Sequence, residues 1–433
     1  MMRTGRSTHR AAPLAILVAA TLVACSNDGS SSSTTTPGTP VSVVADAPVT
    51  RSAPARLDGQ LSIGALLPRS GPGAALGESL LDAVHLAIDE INAAGGVLRG
   101  NVELAPTDEG GDTNSALRSL EILLDGDVDV IVGPASSRVA LGVLSEVIEA
   151  GLTVCSPTNT SISLRRFRDD NLYFRTIPSD ALQAIAMARV IERTGGNAVS
   201  ILYIDDEFGL DYSTALSREL EARGIGVLEE IAFDPDADDL ETDGATAVAS
   251  GAAAIAIIGD PIDGGRMLST LRELDKGGVL YFVNDALRQP NLAASLGGAS
   301  ASFLDRLRGV APSATSASVA FNTAFAQQYP GAPTEYAAYA YDCTILLALA
   351  ATAAGSDDPS EIARFMDSVS RSGSPCTTFA DCKLLLSEGR NIDYVGASGN
   401  VELDDEGDVQ GGWFTTFTFD PSGMDVSTGE INV

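Results

Sequence analysis

Leu61-Ser-Ile-Gly-Ala-Leu-Leu67 runs through the turn Gly71-Pro-Gly73 into Gly77-Glu-Ser-Leu-Leu-Asp-Ala-Val-His-Leu-Ala-Ile-Asp-Glu-Ile-Asn-Ala93 and stops at Gly95-Gly96. The first segment is an apolar run of strand length. In the second, Leu80, Leu81, Val84, Ile88 and Ile91 recur at helical spacing, and the glycine pair ends the helix. This strand–turn–helix unit then repeats. Strands are expected at 102–105, 128–133 and 153–156, with helices at 115–124 and 139–149. A second block carries helices at 180–194, 212–223, 244–250 and 264–274 between strands at 198–203, 226–232, 253–258 and 279–283. Such alternation means parallel sheets covered on both faces, so the expected fold is α/β with two doubly wound parallel-sheet lobes. Helices at 318–328, 337–354 and 360–369 and the β-like run 412–419 complete these lobes rather than build a third domain. The division is read as 58–177 for lobe 1, with 312–395 returning to it, and 178–311 for lobe 2, with 396–433 returning. Ligands of open α/β sheets bind at the carboxyl ends of the strands, so two facing lobes imply a cleft.

With 27 basic and 58 acidic residues among 433, the net charge is −31, a field that repels phosphate backbones and disfavours nucleic acid as a partner. The two histidines, His9 and His85, leave little material for a histidine-based triad or a catalytic zinc site, so the chain is read as a non-enzyme with no metal or cofactor. The turn Gly71-Pro-Gly73-Ala-Ala-Leu-Gly77 misses the dinucleotide fingerprint by one residue. The stretch Asp234-Pro-Asp236-Ala-Asp238-Asp239 lacks the glycine of a calcium loop and is read as a solvated acidic loop.

Arg3, Arg6 and Arg10 precede an apolar run from Ala11 to Ala24 that suits a secretory signal, too short to span a bilayer. Leu22-Val23-Ala24-Cys25 resembles a lipobox, which makes 1–24 a signal peptide and Cys25 the lipidation site. The Ser/Thr/Pro-rich stretch 25–57 reads as a tether. Without its signal the chain keeps 24 basic against 58 acidic residues, or −34, so the acidity belongs to the exported part. The expected location is the periplasmic face of the outer membrane, or the outer face of the cell membrane in a single-membrane host. In that oxidising setting Cys376 and Cys382 are expected to pair, whereas Cys155 and Cys343 are read as buried small apolar residues, their pairing left open.

Several segments, in order over about residues 59–420, resemble the leucine/isoleucine/valine-binding family of type I periplasmic solute-binding proteins. They include Leu61 to Gly77, Ala87 to Gly96, Ile131-Val-Gly-Pro134 with Ser136-Ser137, Ser156-Pro-Thr-Asn-Thr160, Phe174-Arg-Thr176, Asp205-Asp-Glu-Phe-Gly209 and Ala337 to Asp342. The resemblance implies a Venus-flytrap, two lobes joined by three crossovers that close on a ligand. It places Ser136, Ser137, Thr158 and Thr160 on loops that hold a ligand carboxylate, although serine and threonine at helix starts also serve as N-caps. It places Asp285 against a ligand ammonium. Phe208 stands where the family usually has a tyrosine, so its ring stacks but donates nothing. Arg69 enters a loop that lines the family's cleft, to bind a second anionic group or to meet an acid across it. The implied function is a lipid-anchored extracytoplasmic binding protein that passes an amino acid, amide or small carboxylate to an ABC permease. The alternatives are a ligand-sensing lipoprotein of the same fold and, behind it, an enzyme or cell-wall assembly factor.

Overall fold

The structure is a computed structural model and describes residues 57–71, 73–288, 292–313 and 318–433. The signal segment, Cys25 and the tether up to Arg56 lie outside the described residues, as does Pro72 of the glycine turn.

The first sheet contains β1 (Ser62–Leu67), β2 (Glu103–Asp108), β3 (Val130–Val132), β4 (Thr153–Ser156) and β5 (Tyr173–Arg175), all parallel, in the order β2-β1-β3-β4-β5. Helices α1 (Ala74–Ala93), α2 (Thr113–Asp125), α3 (Ser137–Glu149) and α4 (Ile162–Arg166) connect them. The chain then enters the second lobe with α5 (Asp180–Arg193), β6 (Ala198–Ile204), α6 (Glu207–Ala222), β7 (Gly226–Phe233), α7 (Glu241–Ala249), β8 (Ala254–Ile258), α8 (Asp263–Leu274) and β9 (Leu280–Val283). A 3-10 turn at Asp285–Leu287, the short helices α9 (Leu292–Ser295) and α10 (Ala301–Leu304), and β10 (Leu307–Pro312) follow. Its parallel strands lie in the order β7-β6-β8-β9-β10, the same winding as the first sheet. In both, the switch point falls where the first strand meets the third, which puts the loops after β3 and β8 at the ligand-binding end.

Helices α11 (Val319–Gln328), α12 (Ala337–Ala354) and α13 (Pro359–Ser370) return to the first lobe, followed by β11 (Ser374–Cys376), α14 (Phe379–Ser387), β12 (Ile392–Gly396) and β13 (Gly399–Asn400). Finally β14 (Trp413–Phe419) and β15 (Asp425–Asn432) add an antiparallel hairpin to the second sheet beside β10, so that sheet is mixed rather than wholly parallel. The chain therefore passes between lobes three times: after Arg175, between Pro312 and Val319, and before Trp413. The last return comes later than 396, because Val401, Leu403 and Val409 are buried in the core of the first lobe.

The strands that read as continuous apolar runs are buried on both faces; β3 and β8 are wholly buried. Helix α12, with mean hydropathy 1.4 over 18 residues, is apolar enough to cross a membrane by length and composition, yet 83% of it is buried inside the protein. It is the core helix of the first lobe. Its one charged residue, Asp342, accepts hydrogen bonds from the Ala397 and Ser398 amides and the Tyr394 hydroxyl at 2.7–2.8 Å, which ties the returning segment to the core.

Cys376 and Cys382 form the expected disulfide. Cys155 and Cys343 are buried as expected but also bonded, joining β4 to α12 across a separation of 188 residues; spacing alone left that pairing unreadable because the two meet only through the packing of α12 on the sheet. The loop-closure entropy removed from the unfolded chain grows with loop length. Replacing Cys155 and Cys343 by serine is therefore expected to cost about 5 kcal/mol, and replacing Cys376 and Cys382 about 2 kcal/mol. Denaturant unfolding of the two double variants under non-reducing conditions checks the order.

Candidate functional site

A cavity of about 740 Å³ opens between the lobes. Ser136 and Ser137 reach it from the loop after β3 and Thr158 and Thr160 from the loop after β4, while Phe208 at the start of α6 and Asp285 after β9 face them from the second lobe. Six of the seven expected binding residues thus share one cavity. Arg69 does not line it. That residue is exposed at the end of β1, where its backbone N–H donates to Asp108 Oδ1 at 2.8 Å. His85 is exposed on α1, and among the described residues no three His, Cys, Asp or Glu side chains gather as metal ligands.

On the first lobe the groups suited to an anion are partly spoken for. Ser136 Oγ accepts from the Val139 amide at 3.4 Å, so the residue caps α3 while lining the cavity. The Ala135 and Ser136 amides donate to the buried carboxylate of Glu109 at 2.6 and 3.0 Å, and burial pushes that carboxyl up to about 7. Thr158 Oγ1 donates to the Ala135 carbonyl at 2.8 Å. What remains at this helix start are the Ser137 and Arg138 amides, first-turn donors with no partner inside the helix. A ligand carboxylate would therefore meet α3 one residue further along than the sequence suggests.

The second lobe supplies the opposite character. Asp285 accepts from the Tyr336 hydroxyl at 3.3 Å, a contact that comes across the cleft from the first lobe. Tyr336 adopts a left-handed backbone conformation, φ 61°, at the entry to α12. For a side chain other than glycine that costs about 1–3 kcal/mol and marks a position set by its surroundings. Asp180, at the start of α5, is 1% exposed, and neither of its carboxylate oxygens makes a hydrogen bond of ordinary geometry. Burial and the neighbouring Asp285 charge push it up to about 8, against the pull of Arg175. Burial likewise raises Asp285. Gln183, one turn along α5, accepts from the Tyr212 hydroxyl at 2.7 Å, and its Nε2 is left without a partner. The Phe208 ring meets Tyr212 edge-on with centroids 6.3 Å apart. Two tyrosines thus stand around the acids although none occupies position 208.

Beneath both sides lies Arg175, fully buried at the end of β5. It pairs with Asp408 through two hydrogen bonds of 2.6 and 2.8 Å and donates to the Asn159 and Ser161 carbonyls at 3.0 and 2.8 Å. Those carbonyls flank Thr160, so Arg175 sets the loop that carries it. The rims also meet. Arg138 bridges to Asp260 at 3.3 Å, Ser163 Oγ donates to Asp211 Oδ2 at 2.9 Å, and Arg166 pairs with the same Asp211. Arg138 is the one basic residue on a lining that includes Asp206, Glu207, Asp236, Asp260, Asp263 and Asp285. Arg138, Glu109 and Asp180 were not singled out from sequence, because nothing in periodicity marks them. Arg175 lies within Phe174-Arg-Thr176, which the family resemblance marks without giving the arginine a role, and that segment ends four residues short of Asp180.

Two lobes of like winding, linked by three crossovers and closed over a polar cavity, define a solute-binding protein rather than an enzyme. Residues 60–383 match the periplasmic binding protein family, and the chain belongs to it. It is 27% identical over 355 residues to the chemotactic signal transduction system substrate-binding protein BasB of Halobacterium salinarum, a match covering 79% of this chain and 83% of that one. It is 29% identical over 176 residues to the Leu/Ile/Val-binding protein BraC3 of Rhizobium johnstonii, covering 40% and 48%. Its fold resembles the crystal structure of the leucine-binding protein LivK of Thermotoga maritima with a TM-score of 0.69 at 19% identity, covering 86% and 98%. Family membership places the protein outside the cytoplasm.

Two outcomes follow from the buried charges. Asp342, pushed up to about 6, joins Glu109 and Asp180 as acids whose folded-state values lie above the roughly 4 of an unfolded carboxylate. The folded protein then binds more protons than the unfolded chain between about pH 4 and pH 8. Their stabilising contribution is complete below that window and lost as pH rises through it, so the melting temperature should fall from pH 5 to pH 8.5; a rise over that range would contradict the assignment. Arg175→Met, which leaves Asp408 with Arg165 alone and the Asn159 and Ser161 carbonyls without their donor, should cost about 3 kcal/mol in denaturant unfolding.

Proposed function

We propose that the protein is an ABC-transporter substrate-binding protein that captures a small amino-acid-like solute between the two lobes and presents the closed form to a permease. The supporting observation is the convergence of hydroxyl and amide groups from the loops after β3 and β4 with Asp285 from the other lobe, across a cavity of about 740 Å³. A ligand carboxylate would sit at the Ser137 end, where amide donors and the helix dipole favour an anion, and an ammonium at Asp285. Phe208 would cover the ligand without bonding to it. Capture involves no covalent step. Contacts across the rim, Arg138 with Asp260 and Arg166 with Asp211, hold the closed arrangement. In this reading Cys25 carries the lipid and 25–57 tethers the lobes to a membrane, at the periplasmic face of the outer membrane where the host has one.

A second reading has the same cleft serve a receptor. It is favoured by the match to BasB, which runs over most of both chains and whose name describes chemotactic signalling. Loss of solute uptake on deleting the gene supports the transport role, and loss of a tactic response with uptake intact supports the sensor.

Isothermal titration with the common L-amino acids, their amides and the matching carboxylates tests capture itself. Binding to one or more of them is expected, and Asp285→Asn should weaken it about a hundredfold, the scale of removing one partner of a desolvated charge pair. A folded protein that binds no member of the panel would overturn the reading. Cys25→Ser should release the protein from the membrane fraction.

A further inference from the structure

We propose that Asp180 and Asp285 form a single acidic seat that holds one proton while empty and exchanges it for the cationic group of the ligand, so that capture is proton-linked and selects a primary ammonium or an amidinium. This rests on the cleft being the solute site and goes beyond it by naming Asp180 as a specificity residue and by fixing the charge of the ligand.

The geometry carries the argument. Asp180 is buried at the head of α5, its amide donating to the Thr160 carbonyl at 2.8 Å, and neither carboxylate oxygen has a hydrogen bond of ordinary geometry, the Thr160 hydroxyl being its one polar neighbour of that kind. An uncompensated buried carboxylate of this kind is costly, and its cost is met by a proton or by a cation. The fixed cations around it are committed elsewhere, Arg288 beside Tyr336 being paired with Asp425 at 2.6 Å. Arg175, the nearest base, is committed to Asp408 and to the Asn159 and Ser161 carbonyls. Tyr212 and Tyr336 are phenols raised further above their ordinary value by burial and by the acids, and so remain neutral. Gln183 and Asn284 are both fully buried, and neither Gln183 Nε2, which faces Asp285, nor Asn284 Nδ2 has a hydrogen bond of ordinary geometry. Asn284 and Asp285 line the cavity while Asp180 is 1% exposed, so the seat meets an entering ligand through Asp285 first. Two neighbouring carboxylates in such surroundings do not both ionise, and Asp180 stands well above the usual carboxylate range.

When a cation of charge +1 arrives, the shared proton leaves to solvent and both carboxylates are ionised around it. The exchange balances: protonated seat plus cation gives occupied seat plus one proton. A primary ammonium or amidinium offers N–H donors to both acids, which a quaternary ammonium does not. A ligand carboxylate without an ammonium would face a second anion, and a neutral amide could not replace the proton.

Two measurements on the full exported chain decide the matter. Infrared difference spectroscopy between pH 6 and pH 9 should show protonated-carboxyl absorption that titrates away in the wild type, and Asp180→Asn should lose the component that titrates last while keeping the earlier one of Glu109. A wild-type difference spectrum identical to that of Asp180→Asn would overturn the proposal whatever the ligand. The second takes whichever L-amino acid binds in the panel and compares its titration at pH 7.5 in phosphate and in Tris. Wild type should release more than half a proton per ligand, and Asp180→Asn close to none. Binding with no buffer-dependent heat in the wild type would sink proton linkage while leaving solute capture standing. Asp180→Asn is expected to fold, with a melting temperature at pH 8 at least that of the wild type, since it removes a buried charge.

Discussion

Arg175 is the constraint on which the rest of the site depends. A guanidinium with no solvent exposure has to find all of its partners inside the protein, and it finds them in three places: Asp408 on the last returning segment, and the carbonyls of Asn159 and Ser161 on the loop after β4. Desolvating this charge is expensive, so the pair is weak evidence for stability in itself. Its consequence is positional. The first and third passages between the lobes lie next to β5 and to residue 408, and the loop carrying Thr160 is held between them. One buried ion pair thus fixes the hinge side of the cavity and one of its walls.

The walls differ in kind. On the first lobe Glu109 already occupies two amides at the head of α3, as an internal anion where a ligand anion was expected. On the second lobe Asp285 has the Tyr336 hydroxyl, but neither oxygen of Asp180 has a hydrogen bond of ordinary geometry. The cleft is therefore completed on one side and charged on the other, an asymmetry suited to a solute that brings the missing positive charge. The excess of acid over the whole surface says nothing of this, since those groups are solvated and screened over about a Debye length.

Much of the architecture was legible along the chain because strand and helix periods are local. The 61–96 unit, the buried runs at 130–132 and 254–258 and the covering helices all appear near their expected bounds. The elements missed were mostly short or late: α4, β5, α9, α10, β11 to β13, α14 and β15 are brief or polar, and β10, though buried, is decided by its pairing with β9 and β14. The six expected residues that converge on the cavity were named through the family resemblance, which locates loops, while Arg69 does not line that cavity. Glu109, Asp180 and Gln183 carry no marker of their own, because an acid or amide at a helix start or strand end reads as solvated until its neighbours are known.

By itself the sequence determined two doubly wound lobes with a cleft, a shortage of catalytic histidine and the short spacing that pairs Cys376 with Cys382, all consequences of local periodicity, composition and spacing, while the three crossovers were implied by the family resemblance. Only the tertiary structure decided that Cys155 meets Cys343, that Glu109 takes the first amides of α3, and that Asp180 lies unpaired beside Asp285. Each of these depends on contacts between residues 26 to 188 positions apart, and hydrogen-bond satisfaction and burial at such distances are properties of packing rather than of pattern.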